Sequence, residues 1–443
     1  MIPYCLAKIR WVSESRYTAL TPVNDREVDI DITGVRILRQ CDGMRGPAEI
    51  QAIVAREMPT EPERSADSIA AFLEEMSREG IVAWRQEPFR KVTLPAPRSV
   101  FWDITSKCNL RCVHCYNSDK DKAGKEASGR EEVALDVAKR VLSEMRTFGV
   151  ESVVFTGGEP FLREDFPDIL VFAAELKFPY VSVATNGALL DRRTAARLKY
   201  PNLIVQVSID GDRPEVHDRM RGVNGSFEKA MRALTMLREE GVQVKSNTSV
   251  TNLNVDAVPG IIELMGNLKV NCRFQGMVPI GRGRANAAEI MLSPVSMKSL
   301  SEYLVGKNLD PGGLSFTLKP APDEETDFRG SGACSAGCSN CAITSTGEVV
   351  PCTYFWGMQG ENVRHHSFPW IWENSQLLNY FRSIKLDEIK GHCRKCKWFT
   401  RCRGGCRAEC YLSGDLFGSN SNCWVAQEIL ASDPVRRVTE AEQ

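Results

Sequence analysis

The chain has 443 residues, of which 43% are hydrophobic and 26% are charged, and its formal net charge at neutral pH is −1. This length predicts about three domains, and the composition is that of a globular protein rather than of a disordered or fibrous one. A net charge so close to zero excludes an overall basic field of the kind that holds nucleic acid or an anionic membrane.

The cysteine content and the N-terminus together predict a reducing compartment. Residues 1–8 lack the basic start and apolar core of a signal peptide, and no run of about 18 apolar residues occurs. We therefore expect a cytoplasmic protein. In that compartment thiols stay reduced, so the 16 cysteines are better explained by metal binding than by disulfides.

Residues 1–92 predict a small winged-helix-like domain. The pattern predicts β-rich stretches at 7–12 and 27–32, helices at 33–41, 48–57 and 65–79, and a closing strand at 81–85. Residues 93–99 contain two prolines and are predicted to be a linker.

Residues 100–310 alternate apolar strands with amphipathic helices, which is typical of a parallel sheet. The strands are predicted at 101–104, 152–155, 180–184, 203–209, 243–250 and 271–277. We predict an α/β fold, a partial (β/α)6 TIM-like barrel, whose active-site residues lie at the C-terminal ends of the strands. Residues 331–443 hold ten of the 16 cysteines and are predicted to be organised by metal.

Three cysteines directly follow the first barrel strand. Cys108, Cys112 and Cys115 lie within eight residues, where a barrel keeps its active site. Three thiolates suit an iron–sulfur cluster with one open iron, whereas a structural zinc site needs four ligands. His114 is too close between two of the cysteines to serve easily as the fourth, so zinc is the weaker alternative.

This Cys-x-x-x-Cys-x-x-Cys pattern resembles that of the radical S-adenosyl-L-methionine (radical SAM) superfamily. Segments at the ends of later strands also resemble it: Thr156-Gly-Gly-Glu-Pro160, Ala184-Thr-Asn-Gly187 and Ser208-Ile-Asp-Gly211. The last two are alternatively ordinary Asn-Gly and Asp-Gly turns. The resemblance implies that an open iron binds SAM, and that reductive cleavage of SAM gives a 5'-deoxyadenosyl radical that abstracts hydrogen from the substrate.

The resemblance also implies which side chains contact SAM, while it assigns no catalytic base. Glu159 can accept a charged hydrogen bond from an ammonium group, and the two glycines before it let the backbone approach a ligand. His114 is expected to border the adenine. The implied SAM-binding residues are His114, Gly157, Gly158, Glu159, Pro160, Asn186, Ser208 and Asp210.

The C-terminal cysteines resemble those of the SPASM domain, the twin-cluster extension of peptide-modifying radical SAM enzymes. The resemblance implies auxiliary cluster I on Cys334, Cys341, Cys352 and Cys406, and auxiliary cluster II on Cys393, Cys396, Cys402 and Cys423. Three [4Fe-4S] clusters are then expected in the whole chain. The alternative for these cysteines is a pair of zinc ribbons.

The cysteines outside this set leave one question open. Cys338 and Cys410 lie among the auxiliary ligands, so it stays open whether either replaces an assigned ligand, and Cys338 in place of Cys341 is the favoured exchange. Cys5, Cys41 and Cys272 are expected to be buried inert thiols. We predict that Cys402 and Cys406 lie one helical turn apart, so that one segment serves both clusters.

One residue departs from a branch of the family. In sulfatase-maturing enzymes an aspartate follows the cysteine that matches Cys352, and it is taken as the catalytic base. Here Thr353 stands at that position, followed by Tyr354. Because threonine is no useful base near neutral pH, the resemblance does not extend to that activity.

The N-terminal pattern resembles the PqqD-like domain, which recognises the leader of ribosomally made, post-translationally modified peptides. A winged helix that binds DNA is the alternative. Residues 1–92 contain 13 Lys and Arg against 15 Asp and Glu, a net charge of −2. A DNA-binding module normally presents a basic face, so leader recognition is favoured.

We therefore predict a radical SAM peptide maturase that installs a crosslink, a thioether, an epimerisation or an excision. Its expected partners are a precursor peptide and an electron donor such as flavodoxin or ferredoxin, and neither a membrane nor nucleic acid is expected. Two alternatives stay open: an enzyme that acts on a tetrapyrrole or another small molecule, and a metal-binding winged-helix regulator.

Overall fold

The computed structural model describes residues 2–5, 7–13, 16–20, 27–41, 43, 45–57, 66–85, 94–118, 131–309, 334–420 and 422–425. The predicted domain boundaries at residues 92, 310 and 331 lie outside these ranges. None of the helices in the described ranges combines the length and the apolar character needed to cross a membrane.

The N-terminal region contains the predicted strands, three helices and closing strand, together with two further strands. Its elements are β1 (Ile2–Cys5), β2 (Lys8–Ser13), β3 (Arg16–Leu20), β4 (Glu27–Ile30), α1 (Ile32–Gln40), α2 (Pro47–Glu57), α3 (Ala66–Arg78) and β5 (Val82–Arg85). Strand β1 pairs with β5, and β2, β3 and β4 form an antiparallel sheet in that order. Leu38, Ile69 and Leu73 lie in the core between the helices, each at most 1% exposed.

The central region confirms the predicted partial barrel. Its six strands are β6 (Ser99–Thr105), β7 (Ser152–Gly157), β8 (Tyr180–Thr185), β9 (Leu203–Ser208), β10 (Gln243–Val250) and β11 (Asn271–Gly276). Each pairs in parallel with the next along the chain. The helices are α4 (Leu135–Phe148), α5 (Phe166–Glu175), α6 (Arg192–Arg197), α7 (Pro214–Arg221), α8 (Ser226–Glu239), α9 (Val258–Asn267), α10 (Arg282–Ala285), α11 (Ala287–Ile290) and α12 (Pro294–Gly306).

The two faces of this sheet differ in polarity. Side chains such as Trp102, Phe155 and Val205 are fully buried in the barrel core, which also contains residues from the helices. Because side chains alternate along a strand, the residues next to these point to the other face. Ser208 is the Cα partner of Asn247, which is in turn the Cα partner of Arg273, so one row of that face is polar.

The C-terminal region extends the same sheet. It contains β12 (Asn340–Ile343), β13 (Val349–Val350), α13 (Phe368–Asn374), α14 (Gln376–Arg382), α15 (Phe399–Cys402) and α16 (Arg407–Leu412). Strand β12 pairs in parallel with β6, and β13 pairs with β12 in the antiparallel sense. Trp372 is buried in the barrel core and donates a 2.9 Å hydrogen bond to the Pro95 carbonyl. The C-terminal region is therefore packed directly onto the barrel.

Candidate active site

The three cysteines of the first motif lie in a loop, residues 106–118, that directly follows β6; we call it the cysteine loop. Cys108 is exposed, Cys112 is buried and Cys115 is half-buried. The loop is joined to the end of α7, because the N–H of Arg111 donates to the Arg221 carbonyl at 3.1 Å, and that of Val113 donates to the carbonyl of the preceding Met220 at 3.0 Å.

The end of β7 packs against the start of the cysteine loop. The Gly158 N–H donates to the Thr105 carbonyl at 2.8 Å, and the Glu159 N–H donates to the Lys107 carbonyl at 2.7 Å. A Cβ atom at Gly158 would lie 1.9 Å from the Lys107 carbonyl oxygen, and Gly157 has a φ of +124°. Only glycine fits both positions. The sequence suggested that these glycines let the backbone approach a ligand; in the structure they let it approach the cysteine loop.

Glu159 connects the ends of β7 and β8. Its buried carboxylate accepts hydrogen bonds from the Thr185 hydroxyl at 2.7 Å, from the Asn186 N–H at 2.8 Å and from the Phe161 N–H at 3.2 Å. Burial raises the pKa of Glu159, and these donors lower it in part. The Asn186 side chain donates to Asn109 Oδ1 at 2.8 Å, which extends the network to the cysteine loop.

A second buried network surrounds Asp210, which follows β9. This fully buried carboxylate accepts from the Ser249 N–H at 3.0 Å, and its Oδ2 lies 2.8 Å from Arg221 Nη2. The same Oδ2 lies 3.5 Å from His114 Nε2. Burial lowers the pKa of His114 to about 4, so this imidazole is neutral at physiological pH.

The sequence interpretation missed Arg221. Its guanidinium is buried, with Nη1 3.7 Å from Cys112 Sγ, as well as being paired with Asp210. The available signal was its spacing of four residues from His217, which places both on one face of α7. A single arginine in a charged helix is nevertheless most simply interpreted as solvent-exposed.

Buried polar atoms within the cysteine loop fit a polar ligand. Asn117 is 4% exposed, and neither atom of its carboxamide has a hydrogen-bond partner among the described residues. The same holds for His114 Nδ1. Buried polar atoms usually have partners, so these three suit a ligand with donors and acceptors, as SAM has. Ser208, another predicted SAM-binding residue, is the last residue of β9 and is half-buried.

The described residues contain no group of three or more His, Cys, Asp and Glu side chains close enough to hold a single metal ion. The cysteines are nonetheless grouped. Cys334, Cys352 and Cys406 contact a hydrophobic core that includes Phe355, Tyr380 and Phe381, which we call the C-terminal core. Burial, Glu409 and then the nearby thiolates of Cys334 and Cys352 raise the pKa of Cys406.

Cys341 is separated from that group. In β12, Cys341 and Ile343 are buried in the barrel core, whereas Ala342 between them packs in the C-terminal core. Burial raises the pKa of Cys341 to about 12, and no other cysteine contributes to that shift. For Cys338, by contrast, burial and then the charge of the Cys334 thiolate raise the pKa to about 11, so these two thiols are close enough to interact electrostatically.

A second group contains Cys393, Cys402 and Cys423, since burial and then the thiolates of Cys423 and Cys393 raise the pKa of Cys402 to about 11. The prediction that Cys402 and Cys406 lie one helical turn apart is wrong. Helix α15 ends at Cys402, and the three residues that follow have φ values of +59°, +85° and +78°. The two glycines at 404 and 405 permit this left-handed backbone, which turns the chain between the two cysteines.

Comparison with known proteins identifies the family. Family models match residues 102–265 (radical SAM superfamily), residues 334–397 (SPASM, an iron-sulfur cluster-binding domain) and residues 20–82 (coenzyme PQQ synthesis protein D, PqqD). An AdoMet-dependent heme synthase of Oleidesulfovibrio alaskensis is 30% identical over 349 residues, which are 74% of this chain and 87% of that protein. The chain belongs to the radical SAM superfamily.

The names of other relatives of this radical SAM enzyme describe different activities. Mycofactocin maturase MftC of Mycobacterium tuberculosis is 31% identical over 338 residues, 74% of this chain and 83% of that protein. In fold, the chain is similar to Streptococcus suis SuiB bound to its precursor peptide SuiA, with a TM-score of 0.61, 17% identity and coverage of 95% of this chain and 100% of that one. It is also similar to anSMEcpe with bound AdoMet, with a TM-score of 0.55, 22% identity and coverage of 78% and 99%.

These matches confirm the radical SAM, SPASM and PqqD resemblances that the sequence predicted. The radical SAM and SPASM domains imply iron–sulfur clusters and SAM as cofactors. Because the family and its named relatives are enzymes, the alternative of a metal-binding regulator is no longer needed.

Proposed function

We propose that this protein is a peptide maturase that uses SAM-derived radical chemistry to modify a ribosomally made precursor peptide. The observation that carries the proposal is the N-terminal PqqD match on the same chain as a radical SAM barrel and a SPASM domain. A mycofactocin maturase among the relatives, and SuiB with a bound precursor peptide among the similar folds, support it.

The proposed leader site is the edge of the N-terminal sheet at β4. This strand is at the end of the order β2-β3-β4, and Glu27 and Asp29 are exposed whereas Ile30 is buried. An extended peptide adds to such a strand through backbone hydrogen bonds, while pockets for alternate side chains give selectivity. Holding the leader there raises the concentration of the peptide's remaining residues at the barrel.

The proposed cofactors are SAM and three [4Fe-4S] clusters. The first would be held by Cys108, Cys112 and Cys115, and when bound it supplies the electron for reductive cleavage of SAM. The protein's own contribution is orientation. Glu159 and Asn186 fix the ends of β7 and β8 against the cysteine loop, and neutral His114 can face an adenine without adding charge.

The ligands proposed for the auxiliary clusters follow the two cysteine groups. Auxiliary cluster I would take Cys334, Cys352 and Cys406 with a fourth thiol, and auxiliary cluster II would take Cys393, Cys396, Cys402 and Cys423. Electrons are expected to come from a flavodoxin or a ferredoxin.

A second candidate is modification of a tetrapyrrole. It is favoured by the heme synthase relatives, which match 74% of the chain at 30% identity. This candidate leaves the PqqD match without a role, and for that reason we rank it second.

Coexpression with a candidate precursor peptide, taken from any short open reading frame that neighbours the gene, tests the proposal. We expect a mass change in that peptide that depends on Cys112 and is absent from the Cys112→Ala control. An unmodified peptide, together with anaerobic turnover of an iron-tetrapyrrole by the purified, cluster-loaded enzyme, would instead establish the second candidate.

A further inference from the structure

Arg221 is the one described cation that the structure brings within hydrogen-bonding reach of a sulfur in the cysteine loop. Its Nη1 lies 3.7 Å from Cys112 Sγ, and Nη2 lies 2.8 Å from Asp210 Oδ2. The side chain is 10% exposed and Cys112 is buried, so solvent screens this contact poorly. The charge therefore acts at short range on one specific thiol.

The backbone at Arg221 holds the guanidinium in place. Its carbonyl accepts from the Arg111 N–H at 3.1 Å, and a Cβ atom at the adjacent Gly222 would lie 2.5 Å from the Arg111 carbonyl oxygen. The end of α7 therefore contacts the cysteine loop both through main-chain hydrogen bonds and through the Arg221 guanidinium.

Asp210 fixes the other end of the same guanidinium. Its own position is held by the Ser249 N–H at Oδ1, by its N–H donating to His217 Nδ1 at 3.1 Å, and by its carbonyl accepting from the Asn254 amide at 3.0 Å. A buried carboxylate with this many contacts is a rigid anchor. The pair also meets the requirement that a buried arginine have a counter-ion.

We propose that Arg221 is a positioning residue for the catalytic cluster: it holds the Cys112 sulfur and keeps a permanent positive charge against it. The inference rests on the proposed function, in which Cys112 is a cluster ligand. A reduced cluster carries one more negative charge than an oxidised one, so a guanidinium hydrogen-bonded to a ligand sulfur stabilises the reduced form. Arg221 thereby eases entry of the electron that cleaves SAM.

The matched control is on the same helix. Arg219 is two residues away, its side chain is 61% exposed, and it pairs with the exposed Glu289 at 3.4 Å. Replacing Arg219 removes the same formal charge from α7 but leaves Cys112 untouched. An effect that is specific to Arg221 therefore does not come from the loss of a charge on α7; it reports the buried guanidinium, with its contacts to Cys112 and Asp210.

The test compares Arg221→Gln, Arg221→Lys and Arg219→Gln in the full-length, reconstituted enzyme. The measurement is the midpoint potential of the electron paramagnetic resonance signal that changes when SAM is added, together with iron content. We expect a more negative potential for Arg221→Gln, partial recovery for Arg221→Lys, and a wild-type potential for Arg219→Gln. An unchanged potential in Arg221→Gln at full iron content would overturn the inference.

Variants that fail to load the cluster also test the inference. If Arg221→Gln loads no SAM-responsive cluster, recovery of that signal in Arg221→Lys supports the role of the charge, and continued loss with intact auxiliary clusters means that Arg221 only packs. Cys112→Ala is measured in parallel. If it leaves the SAM-responsive signal in place, the proposed cluster site is wrong, and that failure is distinct from a failure of the Arg221 inference.

Discussion

Tyr116 packs edge to face against Tyr354, with ring centroids 5.7 Å apart. Tyr116 follows Cys115 in the cysteine loop, and Tyr354 is the second residue after Cys352 in the C-terminal region. The Tyr116 hydroxyl also lies 3.3 Å from Thr156 Oγ1, at the end of β7. One aromatic contact thus joins the two cysteine-bearing segments across the polar face of the sheet.

Removal of the Tyr354 ring should uncouple the two segments. We expect Tyr354→Ala to lower the yield of modified peptide per 5'-deoxyadenosine formed, because the ring contact that holds the Cys352 segment against the cysteine loop is lost. Tyr354→Phe keeps the ring and is the control. Liquid chromatography of both products measures the ratio, and a wild-type ratio in Tyr354→Ala would contradict the expectation.

The different surroundings of Cys341, in β12, and Cys338, which precedes that strand, predict different roles for the two thiols. Cys341→Ala should retain about twelve irons per chain, whereas Cys338→Ala should retain about eight, since each four-iron cluster depends on its ligands. Cys341 is buried in the barrel core, and Cys338 is close enough to Cys334 for the two thiols to interact electrostatically. Iron and acid-labile sulfide assays measure both. Loss of iron from Cys341→Ala alone would restore the ligand set that the sequence implied.

The strands and helices were largely predictable, whereas side-chain contacts were not. Period-2 and period-3.6 patterns placed all six barrel strands within a few residues of their observed bounds, because alternation and burial are local properties. Arg407 shows the limit of such reasoning. Arginine is rarely buried, yet Arg407 is fully buried and donates to the Leu416 carbonyl at 3.1 Å and the Gly418 carbonyl at 2.9 Å.

In the candidate site, too, local motifs were predictable and contacts between distant segments were not. The sequence predicted the cysteine loop and the polar residues at strand ends, because each motif lies within a few residues of the chain. It did not reveal that Gly158 packs on the Lys107 carbonyl or that Arg221 reaches Cys112. These contacts depend on how separate segments meet, which no single stretch of sequence encodes.

Gly158 provides a steric test of the site. A Cβ atom there would lie 1.9 Å from the Lys107 carbonyl oxygen, so Gly158→Ala must displace the start of the cysteine loop. We expect a loss of SAM cleavage of at least tenfold, a barrier increase of about 1.4 kcal/mol or more. Gly266→Ala in α9 is the control, since nothing lies within 4 Å of its added Cβ atom. Equal activity of the two variants would exclude this packing.

His217 predicts a pH dependence of stability. Burial lowers its pKa to about 4, and its Nδ1 accepts the Asp210 N–H, which protonation would prevent. The unfolded state therefore binds the proton more tightly, so this contribution is fully present above about pH 6.5 and is lost as the pH falls towards 4. The loss is at most about 3 kcal/mol. Melting temperatures should fall more steeply over this range in the wild type than in His217→Gln, and parallel curves would contradict the assignment.

The proposed leader site at β4 can be tested by removing one backbone donor from the strand. If the leader pairs with the Asp29 N–H, Asp29→Pro removes that donor, and we expect at least tenfold weaker binding of the precursor peptide, about 1.4 kcal/mol. Asp29→Ala keeps the N–H and is the control. Position 31 is unsuitable for this test, because the Asp31 carboxylate caps α1 by accepting the Gly34 N–H at 2.6 Å. Fluorescence anisotropy with a labelled peptide measures binding, and 5'-deoxyadenosine formation without peptide should stay at the wild-type rate in both variants. Normal binding by Asp29→Pro would exclude pairing of the leader with the Asp29 N–H, and a preference of the intact enzyme for duplex DNA over the peptide would exclude a leader site at β4.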